Sequence, residues 1–388
     1  MEKMEENAEY LTQQLITYIG NKRALLPFLK QAVDIVRKDI KKDRLKCADV
    51  FSGSGIVARY LKQFSSLLVV NDLEKYSCII NRCYLANTAG QNRRLKKTWQ
   101  ELTAKIDERM KQLEEQRKNG SYKHPGFISE LYAPSDLKKI KRTDRCFYTP
   151  YNANYIDVAR QLIQTDVPED LRDFFIAPLL SQASVHANTA GIFKGFYKNS
   201  VTKTGQFGGN GKDALSRILG KIEIPFPVYS NFDCESVVFN HNANELVQLK
   251  EFKDLGPFDM VYLDPPYNPH PSGSNYFMLN LIADYRRPDE NNISRVSGIP
   301  KDWNRSHYNK KRFAADSFFE LIEQLDARYI LVSFNSEGFI SKEQMTDSLG
   351  RVGKVQVLET DYNTFRGSRN LSGREIHVKE YLFLVKKH

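Results

Sequence analysis

The apolar run Met260-Val261-Tyr262-Leu263 is stopped by Asp264-Pro265-Pro266-Tyr267, and no other junction in the chain constrains the fold as strongly. The run reads as a buried strand. Two consecutive prolines cannot extend it, because neither has an N–H for a ladder and each fixes its own φ. The chain must therefore leave the sheet stiffly at Asp264. A carboxylate, a backbone carbonyl that no helix claims and an aromatic face then meet at the C-terminal edge of a strand, where open α/β sheets bind ligands. Together these groups suit the grip of an exocyclic amine on a planar base. The plainer alternative is a strand end followed by a proline turn, with Tyr267 packed on the core.

The flanking pattern supports a sheet of this kind. Leu25 to Arg37 carries apolar residues at helical spacing. A strand follows over Ala48–Phe51, then Ser52-Gly53-Ser54-Gly55 and a helix to about Phe64. Leu67–Val70 is the next strand, ending in Asn71-Asp72, and Tyr76 to Ala86 is helical. This β-α-β-α order opens a doubly wound sheet. It then breaks into a long charged helix over Arg93 to Lys118, helices over Tyr155–Ile163 and Leu171–Ala187, and a Gly-, Ser- and Lys-rich loop or hairpin over Lys198–Lys212. The alternation resumes with a strand at Ser236–Phe239, a helix through Leu249 and the strand into Asp264. A loop-rich basic stretch over Asn268–Arg312 comes next. It is followed by helix Asp316–Leu325, strand Tyr329–Val332, helix Ser341–Leu349 and closing strands Val355–Leu358 and Glu380–Val385. The expected fold is α/β: a doubly wound, Rossmann-like sheet over residues 10–87 and 231–388, interrupted by a mainly helical insertion over 88–230.

Charge falls unevenly on this plan. The chain of 388 residues carries a net +10, and between Gln91 and Pro225 there are 23 Lys/Arg against 15 Asp/Glu. The remainder is nearly balanced, so the excess sits in the insertion. A basic surface attracts polyanions and gives sequence-independent affinity for nucleic acid, although a basic solvated face looks the same from charge alone. The five cysteines, Cys47, Cys78, Cys83, Cys146 and Cys234, are scattered without a C-x-x-C pair, which excludes a disulfide framework and a zinc site. No metal is expected. The N-terminus is acidic and polar, unlike a secretory signal, and no apolar stretch approaches a bilayer span. A reduced, cytosolic protein without a membrane partner is expected.

Two further motifs bear on chemistry. Asp49-x-Phe51-x-Gly53-x-Gly55 lies at a strand-to-helix junction, where glycines admit a ligand to the backbone with a helix N-terminus behind. An acid at Asp72, close to 20 residues on from the glycines, bonds ribose hydroxyls. The pattern Gly53-x-Gly55-x-x-Ala58 also fits a dinucleotide site, so this motif implies an adenosine-containing cofactor without separating nicotinamide dinucleotide from S-adenosylmethionine. Tyr18-Ile19-Gly20-Asn21-Lys22 stands before the first helix. Its lysine and aromatic either hold a carboxylate and cover a methionine chain or form a capped helix start with a solvent lysine.

Taken in chain order, these motifs resemble those of the alpha-class, Dam-like DNA adenine-N6 methyltransferases. Tyr18 to Lys22 is similar to that family's N-terminal cofactor motif and Asp49 to Gly55 to its F-x-G-x-G motif. Asp72 corresponds to its ribose acid and Asp264 to Tyr267 to its catalytic motif. The segments Asn268–Leu279 and Ser333–Gly338 resemble the branch that includes methyltransferases of type IIS restriction systems. The resemblance implies S-adenosylmethionine, held by Tyr18, Gly20, Lys22, Asp49, Phe51, Ser52, Gly53, Ser54, Gly55, Asp72 and Asp264. It implies catalysis by Asp264, Pro265, Pro266 and Tyr267. It implies double-stranded DNA as partner, a target-recognition role for the insertion, and a separate cognate restriction endonuclease. The setting it implies is the cytoplasm of a bacterium or archaeon, or a phage genome. Where the family often carries an acid for the cofactor's adenine, this chain has Asn242, which accepts through a neutral carbonyl. Candidate DNA contacts are Arg93, Arg94, Lys97, Lys138, Lys139, Lys141, Arg142, Lys198 and Lys203, with Asn188 and Thr189 as polar residues beside an apolar helix.

Several rivals share part of this pattern. Cytosine-N4 enzymes use the same hydrogen-bond logic but more often have Ser at the place of Asp264. Adenine-N6 enzymes acting on RNA usually lack so large a basic insertion. A nicotinamide oxidoreductase would leave Asp264-Pro265-Pro266-Tyr267 without a role, and a non-catalytic nucleic-acid binder would not need it intact.

Overall fold

A computed structural model describes residues 5–87, 92–209, 211–212, 214–266, 269–336, 338–363 and 377–388. Among the described residues seven strands form one sheet: β1 Leu45–Asp49, β2 Ser65–Asn71, β3 Glu235–Phe239, β4 Phe258–Leu263, β5 Ala327–Asn335, β6 Gly353–Asn363 and β7 His377–Lys387. Their order is β3-β2-β1-β4-β5-β7-β6, with β1 to β5 parallel and β7 running antiparallel between β5 and β6. The strand sequence reverses between β1 and β4. That makes the C-terminal ends of these two strands the topological switch point, where such sheets leave a crevice. The register Asp49↔Tyr262 brings the end of β1 alongside the end of β4.

The sheet is buried on both faces, which is why its central strands read as continuous apolar runs. Along β4, Met260 and Tyr262 join a cluster with Leu29 and Val33 of helix Leu26–Ile40. Val261 and Leu263 point the other way, to Phe318 and Leu321 of helix Lys311–Gln324. The alternation is the period of two that a pleated strand imposes.

Helix bounds shift by a few residues from the expected ones. The helix expected through Leu249 is instead two short helices, Ala243–Leu246 and Lys250–Lys253. The expected loop over 268–312 contains a buried helix, Phe277–Asp284, whose eight residues are too few to show a helical period clearly. Helices Asn92–Lys118, Pro150–Asp166 and Asp173–Val185 are the longest elements of the middle segment among the described residues. They share a single apolar cluster with Tyr76, Ile79, Ile80 and Tyr84 of helix Lys75–Tyr84, and with Phe277 and Ile282. The middle segment therefore packs on the sheet region through a common core.

Candidate active site

A small, open cleft lies at the switch point. It is lined by Tyr18, Gly20, Asn21, Lys22, Asp49, Phe51, Ser52, Gly53, Ser54, Ile56, Val57, Tyr262 and Asp264. Three motifs far apart in sequence thus meet on one wall, as the topology requires.

The glycine loop is shaped by backbone sterics. Gly53 and Gly55 have φ of +54° and +74°, a region that L side chains rarely occupy. A Cβ on Gly53 would stand 3.0 Å from the Tyr18 ring, and one on Gly55 only 2.8 Å from Asn81 Oδ1. The Ser52 hydroxyl turns inward: Asn81 Nδ2 donates to it at 2.9 Å, and Ser77 Oγ lies 3.0 Å away. Ser52 therefore braces the loop with its side chain while also lining the cleft. Asp72 sits behind the loop, its two oxygens accepting the Gly53 N–H at 2.7 Å and the Glu74 N–H at 2.8 Å. Tyr18 stacks on Tyr276, with ring centroids 4.8 Å apart, and Phe51 meets Tyr308 edge-on at 5.1 Å. The Tyr276 hydroxyl accepts the Ile19 N–H at 2.8 Å, which pins the Tyr18 segment over the loop.

Charge in the cleft is chiefly negative. Asp49 is 1% exposed; its carboxyl lies near the Phe51 and Ala58 N–H groups, but neither oxygen is held in a well-formed hydrogen bond among the described residues. Burial, then the nearby Asp264 and Asp72 charges, hold its carboxyl well above the usual range. Burial pushes Asp264 up to about 6 against the pull of Lys22, with Glu380 adding to the rise. Asp72 is likewise raised to about 6 by burial, opposed by its backbone N–H bonds. Lys22 Nζ lies 3.4 Å from Asp264 Oδ1 and also pairs with Glu380 Oε1. Glu380 in turn accepts from Ser333 Oγ at 3.0 Å.

Several expected site residues lie elsewhere. Tyr267 falls outside the described residues. Pro265 is buried and Pro266 half-buried directly after β4. Asn242 caps helix Ala243–Leu246, its side chain accepting from Asn244 N at 2.9 Å, and it does not line the cleft. Asn188 is fully buried and fully engaged. It donates to Cys146 O at 2.7 Å and Gln206 O at 2.8 Å, and accepts from Gly208 N at 3.0 Å, so it ties a turn and does not face a groove. Thr189 is 3% exposed and accepts from Gly191 N. Arg94 pairs with Asp170 at 2.7 Å and Lys97 with Glu101 at 3.8 Å, so part of their charge is met within the protein. Lys198 lies 4.9 Å from the Phe196 ring, and Lys203 is exposed in the adjoining turn. Arg93, Lys138, Lys139, Lys141 and Arg142 are exposed.

Glu380 and Ser333 were not legible as site residues. In sequence Glu380 only opens the apolar run Tyr381–Val385. The one signal was an acid on what became an interior strand. Among the described residues no cluster of His, Cys, Asp and Glu could hold a metal ion, and no helix is long and apolar enough to cross a membrane.

A glycine loop after β1, an acid after β2 and an Asp-Pro-Pro turn after β4 lie along one edge of a sheet whose order is that of the Rossmann-like methyltransferase fold. The D12 class N6 adenine-specific DNA methyltransferase family matches residues 18–207 and 231–347, and the chain belongs to it. Type II methyltransferase M.NlaIII of Neisseria lactamica is 29% identical over 96% of this chain and 99% of its own length. Type II methyltransferase M.CviAII of Paramecium bursaria Chlorella virus 1 is 29% identical over 95% and 98%. Type II methyltransferase M.FokI of Planomicrobium okeanokoites is 27% identical over 95% of this chain, which spans 52% of that protein.

Proposed function

We propose that this chain methylates adenine N6 at a specific site in duplex DNA, with S-adenosylmethionine as donor, as the modification half of a restriction-modification system. The observation that carries the reading is Asp264, raised at the end of β4 beside both the glycine loop and Lys22. The donor suits the cleft. Its sulfonium and ammonium are cationic, and Asp49 and Asp264 both line the cleft. A dinucleotide would bring phosphate charges beside Asp264, whose nearby cation Lys22 already pairs with Glu380. That weighs against the oxidoreductase reading. When bound, S-adenosylmethionine supplies an electrophilic methyl group on sulfur.

The protein's part is binding and positioning. Gly20, Gly53, Ser54 and Gly55 bring backbone close to the ligand, Phe51 and Tyr18 wall it, and Asp72 keeps lone pairs for ribose hydroxyls. Asn242 reaches the cofactor's adenine only by giving up its capping bond. The lone pair of adenine N6 is delocalised into the ring. Asp264 and the Pro265 carbonyl accept its two hydrogens, localise the lone pair and aim it, while Pro266 stiffens the turn and Tyr267 stacks on the base. The base reaches this point by flipping out of the duplex. Residues 10–87 and 231–388 form the catalytic unit. The insertion, 88–230, reads the target, with Lys138, Lys139, Lys141 and Arg142 on phosphates setting register. Exposed Lys203 and Arg93 are further candidate phosphate contacts. The chain acts in the cytoplasm, with a separate cognate restriction endonuclease as its partner.

The test is transfer from labelled S-adenosylmethionine to mixed-sequence duplex DNA, followed by digestion to nucleosides. Label in N6-methyladenosine is expected. Label only in N4-methylcytosine, or transfer to RNA without transfer to DNA, would overturn the reading.

A further inference from the structure

Glu380 is a buried carboxylate on an interior strand, 1% exposed and flanked by the apolar run that follows it. A charge in that place is hard to justify by stability, since well-packed apolar residues usually replace buried ion pairs at no loss. Its position is a consequence of topology. Because β7 runs antiparallel to β5, the beginning of β7 lies at the C-terminal edge of the parallel strands, and Glu380 sits opposite Asn335 there. From that edge it pairs with Lys22, whose ammonium also faces Asp264 at 3.4 Å, and Ser333 donates to the same Glu380 oxygen. Glu380 lies beyond the residues that the family model matches.

We propose that Glu380 is a positioning residue: it anchors the Lys22 ammonium between two carboxylates, so that Asp264 is oriented without being captured in a tight one-to-one ion pair. The inference rests on Asp264 as the acceptor of the substrate amine. An unopposed lysine at this distance would draw the Asp264 carboxylate to itself. A lysine shared with Glu380 fixes the carboxylate and leaves its acceptor capacity for the base. Among the described residues, the charged and titratable groups that bear on Asp264 are Lys22 from the N-terminal segment, Glu380 from β7, Asp49 from β1 and Tyr262 from its own strand. Of these, Glu380 and Asp264 both pair with the Lys22 ammonium.

The test compares wild type, Glu380→Gln, Lys22→Met and the double variant for kcat, both KM values, the pH–rate profile and melting temperature. Glu380→Gln keeps the side chain's shape, and Ser333→Ala is a milder second probe should the first fold poorly. The loss in Glu380→Gln is expected to fall on kcat, on the order of 10²-fold, with KM for DNA and cofactor within about threefold. Its acid limb should move to lower pH, that of Lys22→Met to higher pH, and the double variant should be no worse than Lys22→Met. Additive losses, an unmoved acid limb, or full kcat in Glu380→Gln would overturn the proposal. The comparison is made on whichever base accepts label in the wild type, so failure of the adenine reading shows separately as the wrong methylated nucleoside.

Discussion

Gly55 offers the sharpest test of how the cofactor loop is built. At φ +74° an alanine there adopts a left-handed conformation, which costs about 1–2 kcal/mol. The new Cβ would also meet Asn81 Oδ1 at 2.8 Å, and the Asn81 amide is not free to swing away. Its Nδ2 donates to Ser52 Oγ at 2.9 Å and to Ser77 O at 2.9 Å, inside the fold. Displacing it forfeits one or both bonds, about 1 kcal/mol each. The expected cost of Gly55→Ala is therefore about 2–4 kcal/mol. Gly120 is the matched control: its φ is +77° and a Cβ there meets nothing within 4 Å, so Gly120→Ala isolates the backbone cost. Urea unfolding of both variants gives the difference through the midpoint, provided the slope is unchanged. Calorimetric titration should show weakened S-adenosylmethionine binding in Gly55→Ala alone. Equal midpoints for the two alanine variants would refute the bracing of the loop by Asn81.

Asp264→Asn should lose kcat by roughly 10²–10³-fold in the labelled-transfer assay. Asp264 sits at about 6 against 3.8 unperturbed, so its ionised form opposes folding by about 3 kcal/mol above pH 6. That burden fades as pH falls through 6 toward 4, so Asp264→Asn should melt higher than wild type at pH 8 and lose the advantage near pH 4. The same titration predicts that wild-type kcat falls below about pH 6, where the protonated acid no longer accepts a hydrogen; a flat profile down to pH 5 would contradict it. Asn188→Ala removes three hydrogen bonds inside the fold, to Cys146 O, Gln206 O and Gly208 N, and should cost about 2–4 kcal/mol, read as a lower urea midpoint. A fully stable variant with altered site preference would restore Asn188 as a DNA contact. Replacing Lys139, Lys141 and Arg142 by alanine should weaken DNA binding uniformly across sequences and reduce the salt slope by about 1 per lost phosphate contact, with cofactor binding unchanged.

Local chemistry made much of this protein legible in its sequence. The proline pair after Leu263 can only end a strand, and glycines at 53 and 55 mark a turn that side chains would block. Buried parallel strands announce themselves as apolar runs. Those are nearest-neighbour constraints, written where they act. The sequence also placed the motifs in an order that only a doubly wound sheet brings to one edge, and the Asp49↔Tyr262 register does so. What it could not convey depends on partners distant along the chain. Asn188 looks polar and available in sequence, yet Cys146, Gln206 and Gly208 consume its hydrogen-bonding groups. Lys22 reads as a solvent lysine or an anion ligand until β7 brings Glu380 beside it, 358 residues away. A backbone turn is set by its own few residues, whereas the fate of a charge is set by whichever groups the sheet order delivers, and only the folded chain decides that.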